Sequence, residues 1–332
     1  MASYIERREF LATLGGAVAA WPIAARAQQP AMPVIGFLSS SSRDVDDVRR
    51  LAPFREGMSE VGYTEGRNVV IEYRGADDQL DRLPALAADL ARRQVSIIAA
   101  AGSPASALAV KSVTRTIPIV FTNAADPVRI GLVASLNRPG GNVTGVTELG
   151  AELGAKRLGL LRELVPSATS IAVLVNPTRP GVDAQSAQAQ EAARALGLPL
   201  HILTASSERD FDAIFLTLVQ LRAGALVISA DALFNDRSDQ IVALARRYSV
   251  PTIYEWREAV AAGGLISYDT RRTDAYRQIG ILAGRILKGE KPADLPILQP
   301  TKFELVINMK TAKALGLTIP QPLMLRADEV IQ

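Results

Sequence analysis

The chain has 332 residues, of which 48% are hydrophobic and 21% charged, with no cysteine and a single histidine. This length leaves room for about two domains, and the apolar fraction is sufficient for a sizeable core in each. The net charge of +3 is not gathered into blocks, which excludes a nucleic-acid footprint, so we expect no nucleic-acid partner. Without cysteine there is no disulfide, no thiolate metal site, no cysteine nucleophile and no cysteine for a lipid anchor.

Residues 1–27 have the pattern of an export signal. Arg7 and Arg8 give a positive start, and the weakly apolar run behind them leads to Ala25–Ala27, a small-x-small cleavage pattern. The run is too short to span a bilayer. The arginine pair resembles a twin-arginine signal, and an ordinary secretory signal also fits. We therefore expect a mature chain that begins at Gln28 and lies free in the periplasm, without a lipid anchor.

Short β-branched runs alternate with helical patterns from residue 33 onward, which predicts parallel α/β architecture. The first series of predicted strands is Val34–Leu38, Val69–Tyr73, Ser96–Ala100, Pro118–Phe121 and Val143–Val146. The second series is Ile171–Val175, Leu200–Leu203, Ala225–Ser229, Pro251–Tyr254 and Leu265–Tyr268. Most of these runs are continuously apolar, as expected for strands that are covered on both faces.

Amphipathic helices are predicted between the strands. A helix between residues 45 and 62 contains Pro53, which predicts a kink or a late start. Thr273 is placed to cap a later helix, and Gly289 is placed to end it. The apolar stripe of that later helix is Tyr276, Ile279, Leu282 and Ile286.

The strand–helix series runs twice, near residues 33–147 and 150–270, which predicts two doubly wound parallel-sheet lobes. Prolines 292, 296 and 300 punctuate a late extended segment that suits a further crossing between the lobes. In such folds, ligands bind beyond the carboxyl ends of the strands. Small or polar residues at strand ends are therefore candidates for a cleft, although each also suits a helix cap. They are Ser39, Ser40, Ser103, Asn123, Thr147, Glu148, Asn176, Asp231, Tyr268 and Asp269.

Several segments distributed over residues 33–330 carry a family resemblance. They are Ile35–Phe37, Ile117–Phe121, Asp126–Val128, Asn137–Val146, Gly263–Leu265, Leu287–Gly289 and Ile307–Ala312. In this order they are similar to segments of the bacterial ABC-transporter substrate-binding proteins of the tryptophan/tyrosine-transporter-like group. The resemblance implies a type I periplasmic-binding-protein fold, in which two α/β lobes joined by three crossovers close like a Venus flytrap.

The resemblance also implies the extent of the lobes and the faces of the pocket. Residues 33–146 and 270–297 would form the N-terminal lobe, and residues 147–269 and 298–332 the C-terminal lobe. The first lobe would contribute Ser39, Ser40, Ser103, Asn123 and Asp126 to the pocket. The second lobe and the crossovers would contribute Thr147, Asn176, Asp231, Tyr254 and Tyr268. Where aromatic-amino-acid binders carry a Thr-Thr-Pro-like loop, this chain has Gly102-Ser103-Pro104, so the aromatic ligand is not carried over.

The candidate residues suit a zwitterionic ligand. The helix start after Ser103, with the Ser103 hydroxyl, suits a carboxylate, and Asp231 suits an ammonium group through a charge-assisted hydrogen bond. Tyr254 and Tyr268 suit a planar or apolar group, and a packing role fits them too. For Asp126, capping of a following helix fits as well as a role in the site.

The sequence favours a binding protein over an enzyme. His201 has no evident catalytic partner, no Gly-x-Ser-x-Gly motif is present, and no histidine cluster indicates a metal, so we expect no cofactor. A ligand-responsive repressor would need a DNA-binding segment where the export signal stands. We expect a monomeric, periplasmic solute-binding component of an ABC importer, which delivers a small polar or amino-acid-like ligand to a membrane permease and its ATPase. The alternatives are a periplasmic sensor subunit for a membrane receptor and an exported enzyme.

Overall fold

The computed structural model describes residues 32–43, 47–148 and 150–332, whose strands form two sheets. The predicted export signal, residues 1–27, lies outside the described residues. All ten predicted strands are present, and each observed strand begins and ends within two residues of its predicted bounds. The prediction of an α/β fold with two parallel-sheet lobes is confirmed.

The first sheet is entirely parallel. Its strands are β1 (Val34–Ser39), β2 (Val70–Gly75), β3 (Ile97–Ala101), β4 (Ile119–Asn123) and β5 (Val143–Thr147). Their order across the sheet is β2-β1-β3-β4-β5, with Ile35 of β1 in register with Ile71 of β2 and with Ile97 of β3. The carboxyl ends of all five strands therefore lie at one edge of the sheet.

The second sheet is parallel except for one pair of strands. Its strands are β6 (Ile171–Val175), β7 (Leu200–Thr204), β8 (Ala225–Ile228), β9 (Thr252–Tyr254), β10 (Ile266–Asp269), β11 (Glu304–Asn308) and β12 (Glu329–Ile331). The order is β12-β11-β10-β9-β8-β6-β7, and only β10 and β11 run antiparallel. Strands β11 and β12 were not among the predicted strands.

Helices cover both faces of each sheet. They are α1 (Ala52–Glu60), α2 (Leu83–Arg92), α3 (Pro104–Val113), α4 (Gly150–Leu164), α5 (Val182–Ala195), α6 (Phe211–Gln220), α7 (Ala232–Asp236), α8 (Ser238–Arg247), α9 (Arg257–Ala261), α10 (Arg272–Leu287), α11 (Met309–Ala314) and α12 (Gln321–Arg326). Within the described ranges, no helix has the length and apolar character needed to cross a membrane.

Each sheet has an apolar core on either face. In the first sheet, Phe37 packs edge-to-face on Phe54 of α1 at 5.4 Å on one side. Leu38 points to the other side, into a core that includes Leu90 and Phe121. Because both faces are buried, the strands contain continuous apolar runs rather than an alternating pattern.

The chain passes between the sheets three times. It leaves the first sheet after β5 and returns to it with α10, which packs on α1. It then runs beside β5, where Leu298 forms a bridge with Val146, before β11 joins the second sheet. This late segment is the one that the proline spacing indicated.

Two helix starts bear on the predictions. Pro53 lies in the first turn of α1, but a π-helical turn, Asp47–Leu51, runs directly into that helix, so the chain is already helical by residue 47 and the predicted late start is wrong. The predicted cap at Thr273 is wrong. Helix α10 begins at Arg272, and Arg271 already has the extended conformation of an N-cap (φ −72°, ψ 116°), without a capping side-chain hydrogen bond. Gly289, with φ +103°, follows the helix end as predicted.

Candidate ligand-binding site

A small cavity lies where carboxyl ends of strands from both sheets meet. Its volume is about 20 Å³. We call it the inner cavity, and its lining residues are Gly102, Ser103, Pro104, Ala124, Glu148, Arg179, Ala230, Asp231, Ala232, Asn235 and Glu255. Most of them follow the ends of β3, β4, β5, β6, β8 and β9. The cavity therefore occupies the position at which parallel α/β sheets bind ligands.

Ser103 forms the first-lobe wall of the inner cavity together with the start of α3. Its side-chain oxygen accepts a hydrogen bond from the backbone N–H of Ala105 at 3.2 Å, and Pro104 occupies the first helical position. Helix α3 has ten residues, so its N-terminus carries partial positive charge, and because the N–H groups of Ala105 and Ser106 bond to Ser103, the Ser103 hydroxyl is the group left to donate. This wall suits an anionic group such as a carboxylate.

Ser39, Ser40 and Asn123 are buried next to this wall. Asn123 uses its Oδ1 to accept a bond from the backbone N–H of Ala125 at 2.9 Å, and Ser39 Oγ accepts one from the N–H of Ser41 at 3.2 Å. Among the described residues, Asn123 Nδ2 and Ser40 Oγ have no hydrogen-bond partner. A Cβ at position 102 would lie 2.4 Å from Ser40 Oγ, so the glycine there allows the close approach.

Asp231 forms part of the second-lobe wall. Its carboxylate caps α7 by accepting from the backbone N–H of Leu233 at 3.0 Å, and it accepts from Asn176 Nδ2 at 3.2 Å. Burial raises the pKa of Asp231, and the charge of Arg179 opposes that shift. Asn176 therefore acts on the site through Asp231, which it orients. A cation in the cavity would stabilise the ionised form of Asp231.

Glu255 is a lining residue that the sequence reasoning missed. It is 2% exposed, and its Oε2 accepts from Asn235 Nδ2 at 2.5 Å. Its Oε1 has no hydrogen bond within the described chain and lies 3.9 Å from Arg157 Nη2. Arg157 itself donates to Asp269, whose pKa burial nevertheless raises well above the ordinary range. Glu255 thus offers an acceptor oxygen to the cavity.

Arg179 is another lining residue that was not predicted from the sequence. Its Nη1 donates to the backbone carbonyl of Ala230 and, at 3.1 Å, to Gln185 Oε1. Ala230 lines the inner cavity, whereas Gln185 lines a second cavity. The sequence does contain a signal for Arg179, namely its position in the loop after β6. Loops that follow parallel strands line this kind of cleft.

The second cavity, which we call the outer cavity, is the larger of the two, with a volume of about 190 Å³. It is lined by residues 124–130, Leu136, Thr147, Arg179, Pro180, Gly181, Ala184, Gln185, Gln188 and Gln299. Ala124 and Arg179 line both cavities, so the two are neighbours.

Two of the predicted site residues, Asp126 and Thr147, line the outer cavity. Asp126 is exposed, and its Oδ1 accepts from the backbone N–H groups of Val128 at 2.9 Å and Arg129 at 3.2 Å. It caps a turn rather than a helix. Thr147 is buried and donates to the carbonyl of Ala125 at 3.3 Å.

The two predicted tyrosines do not line either cavity. Tyr254 is buried in the apolar core between the second sheet and α6 and α8, and the next residue, Glu255, reaches the inner cavity instead. Tyr268 stacks on Phe303 at 6.0 Å beside the last crossover. Tyr254 is buried and Tyr268 is partly buried, and neither contributes to the lining of the two cavities.

Unpartnered polar atoms gather around the inner cavity. Within the described ranges, they include Ser40 Oγ, Asn123 Nδ2, Ser229 Oγ and Glu255 Oε1. Glu255 lines the cavity, Asn123 and Ser229 directly precede lining residues, and Ser40 abuts the lining residue Gly102. Buried polar groups in proteins are nearly always hydrogen-bonded. Of these four atoms only Glu255 Oε1, which also lies 3.9 Å from Arg157 Nη2, belongs to a lining residue, and the other three lie in residues that adjoin the lining.

The lobes touch at a set of contacts that we call the lobe latch, formed by Ser41, Arg49, Arg50 and Asp78 of the first lobe and by Asn235, Asp236 and Arg237 of the second. Arg50 Nη2 lies 2.9 Å from Asp236 Oδ1, with side chains 3% and 0% exposed. The Ser41 hydroxyl donates to the same carboxylate. Arg49 Nη1 donates to the Asn235 carbonyl at 3.0 Å, and Arg237 Nη2 lies 3.5 Å from Asp78 Oδ2. The lobes are closed on each other.

Two α/β lobes, three crossovers and a polar cleft at the strand ends define a type I periplasmic binding protein. In the described part of the chain, no group of three His, Cys, Asp or Glu side chains is placed to hold a metal ion. Residues 33–331 match the family model described as ABC transporter substrate binding protein, and the chain belongs to that family. The family consists of transport proteins rather than enzymes, so this is an extracytoplasmic substrate-binding protein of an ABC transporter.

Three relatives illustrate the likeness. The chain is 27% identical over 265 residues to the tyrosine-binding protein of Clostridioides difficile strain R20291, covering 80% of this chain and 75% of that one. It resembles an ABC domain from Streptococcus pneumonia in complex with L-Trp, at a TM-score of 0.82 and 24% identity. It also resembles the ligand-free, open form of a substrate-binding protein with adhesive properties from Clostridium difficile, at a TM-score of 0.64 and 24% identity. Each of these two structural matches covers 90% of this chain and 99% of the other.

Proposed function

We propose that this protein captures a small zwitterionic, amino-acid-like ligand in the inner cavity and delivers it to the permease and ATPase of an ABC importer. The observation that carries the proposal is the gathering of unpartnered donors and acceptors at that cavity. The N-terminus of α3 and Ser103 suit the ligand carboxylate, and Asp231 and Glu255 suit its ammonium group. Two relatives, a tyrosine-binding protein and a domain in complex with L-Trp, support an amino acid as the ligand.

The mechanism is a hinge between the lobes, with the boundaries implied by the resemblance: residues 33–146 with 270–297, and residues 147–269 with 298–332. The inner cavity, at about 20 Å³, has room for about one water molecule. A ligand therefore enters when the lobes separate, and the inner cavity widens to hold it when both lobes close on it. The higher TM-score with the L-Trp complex than with the open relative supports a closed arrangement here.

Export to the periplasm through the signal in residues 1–27, by the twin-arginine or the general secretory route, is part of the proposal. The protein would act there as a free monomer without a lipid anchor and without nucleic-acid partners. The lack of cysteine among the 332 residues supports the unanchored form.

The test is a thermal-shift screen of L-amino acids on the purified protein, followed by calorimetry on the strongest ligand. A ligand that binds only the native state raises stability by about 2.7 kcal/mol at a hundredfold excess over Kd. Asp231→Asn keeps the cap of α7, because Asn caps as well as Asp, and removes the charge. We expect Asp231→Asn to raise Kd about 10- to 100-fold, because this is the change in affinity expected when a hydrogen bond to a charged group is lost.

The matched control is Asp183→Asn, the same change at an exposed position in the first turn of α5. It should leave Kd unchanged. An unaltered Kd in Asp231→Asn would remove this carboxylate from the site. If no amino acid in the screen shifts the melting temperature, the proposal of an amino-acid ligand fails.

A further inference from the structure

The outer cavity differs in character from the inner one. Around its rim stand Pro127, Val128, Ile130, Leu136 and Pro180, so much of its wall is apolar. Its volume of about 190 Å³ exceeds the roughly 150 Å³ of an apolar protein cavity that accepts benzene. A group as large as an aromatic ring or a branched side chain therefore fits within it.

The amides of α5 supply the polar groups of this wall. Gln185 is held in place, because Arg179 Nη1 donates to its Oε1 at 3.1 Å. Gln188 lies nearly one turn further along α5, and its Oε1 is buried without a hydrogen-bond partner in the described part of the chain. A buried, unpaired amide oxygen is unfavourable, so this position is explained best by a donor that the structure does not itself contain.

The two cavities meet at Arg179, which bonds to a lining residue of each, and at Ala124, which lines both. A ligand with its charged groups in the inner cavity would therefore have to pass Arg179 to reach the outer one.

We propose that the outer cavity is the specificity pocket, in which Gln188 accepts a hydrogen bond from an O–H or N–H group at the far end of the ligand side chain. This inference rests on the proposed function, and it assigns the selective step to a residue outside the charged inner cavity. A site that hydrogen-bonds a substrate hydroxyl discriminates strongly against the analogue without it, because the protein group is then left unpaired.

The experiment measures Kd by calorimetry for two matched probe pairs, L-tyrosine with L-phenylalanine and L-threonine with L-2-aminobutyrate. Wild-type protein should bind the hydroxyl-bearing member of at least one pair about tenfold more tightly or better. In Gln188→Leu that ratio should fall to near one, while binding of the analogue that lacks the hydroxyl is kept. Gln188→Glu retains an acceptor and should retain the preference.

A second measurement separates recognition from structure. If the Gln188 oxygen is unpaired in the ligand-free protein, Gln188→Leu should melt at the same temperature as wild type or higher, since an unsatisfied buried group is removed. A lower melting temperature with an unchanged hydroxyl preference would overturn the inference. Equal binding of both members of each pair by wild type would overturn it while leaving the proposed function intact, and failure of every probe to bind together with a negative screen of L-amino acids would overturn both.

Discussion

Asp78 is a titratable carboxyl group at the contact between the two lobes. It sits 3.5 Å from Arg237 of the other lobe, and its backbone N–H donates to the Ser40 carbonyl at 2.8 Å. Burial, and then repulsion from Asp236, raise the pKa of Asp78 from 3.8 to about 6, against the attraction of Arg237 and Arg50. The folded protein therefore retains a proton that the unfolded chain releases between these pH values.

The stability contributed by this proton is complete below about pH 3.8 and is lost as the pH rises through about 6. Relative to Asp78→Asn, we expect the free energy of unfolding of wild type to fall across this window by on the order of 1 kcal/mol, since partial exposure screens the full shift. Asn tolerates the positive φ of 62° at this position. Urea denaturation from about pH 4 to 7 measures the difference.

The control for that series is Asp77→Asn, the exposed neighbour, which also has a positive φ, of 53°. Its difference from wild type should not vary with pH in the way that the Asp78 difference does. An Asp78→Asn profile parallel to that of wild type would show that this carboxyl does not titrate in the window.

At the same scale, the sequence located strand ends better than it located side chains. Ser103 and Asp231 were predicted and do line the inner cavity. The sequence pointed to Tyr254, whereas Glu255 lines the inner cavity, because both faces of the second sheet are apolar: Ile253 enters one core and Tyr254 the other. Because neither face of the sheet is polar, the hydrophobic pattern of β9 does not predict which residue at the end of the strand turns toward the cleft.

At the scale of the elements, α1 packs very closely on α10. Glycines in both helices make this close contact possible. A Cβ at Gly57 would lie 1.9 Å from the Arg277 carbonyl oxygen, and a Cβ at Gly280 would lie 2.2 Å from that of Phe54. Both obstacles are backbone atoms, which cannot rotate away. Gly57 and Gly280 thus set the distance between α1 and α10. Helix α10 is the element that brings the chain back to the first lobe.

Gly57→Ala should lower the free energy of unfolding by about 1–3 kcal/mol or more, because the two helices must move apart. Gly159→Ala is the matched control, as it is a glycine in the interior of α4 with no atom within 4 Å of the added methyl. That change should be neutral or stabilising by up to about 1 kcal/mol. Urea unfolding of both variants decides the matter, and equal stabilities would contradict the packing argument.

The two strands that the sequence did not predict, β11 and β12, were missed for different reasons. Strand β11 joins its sheet beside β10 in the antiparallel sense, after a crossover from the other lobe. Strand β12 has three residues and pairs only with β11, at the sheet edge. Strand β11 is not preceded by the strand–helix alternation on which the prediction of the other ten rested, and its pairing is a consequence of how the lobes are assembled. Strand β12 does follow β11 through α11 and α12, but its three residues are too few to show a strand pattern.

For the whole molecule, α7 connects the ligand cavity to the lobe latch. It begins after Asp231, which lines the inner cavity, and ends at Asp236, which pairs with Arg50 of the other lobe. Asn235 belongs to both, since its amide bonds to Glu255 and its carbonyl accepts from Arg49. A ligand that draws α7 toward the first lobe therefore also brings the latch together.

Asp236→Ala should open the molecule rather than unfold it. Breaking a buried ion pair by removing one partner costs about 3–5 kcal/mol, chiefly because the other charge is left buried. Here the lobes can separate and return Arg50 to water. Since about 1.4 kcal/mol changes an equilibrium tenfold, this cost is enough to make the open form predominate. Small-angle X-ray scattering should show a larger radius of gyration for the ligand-free variant than for wild type.

Asp239→Asn, which removes a charge from the exposed first turn of α8, is the control and should scatter as wild type does. A ligand contacts both lobes only in the closed form, so saturating ligand should return Asp236→Ala to the compact form, with a higher Kd because binding must now supply the closure. An unchanged radius of gyration together with a lower urea midpoint would show instead that the Arg50–Asp236 pair stabilises the fold itself. The latch would then play no part in the equilibrium between open and closed forms.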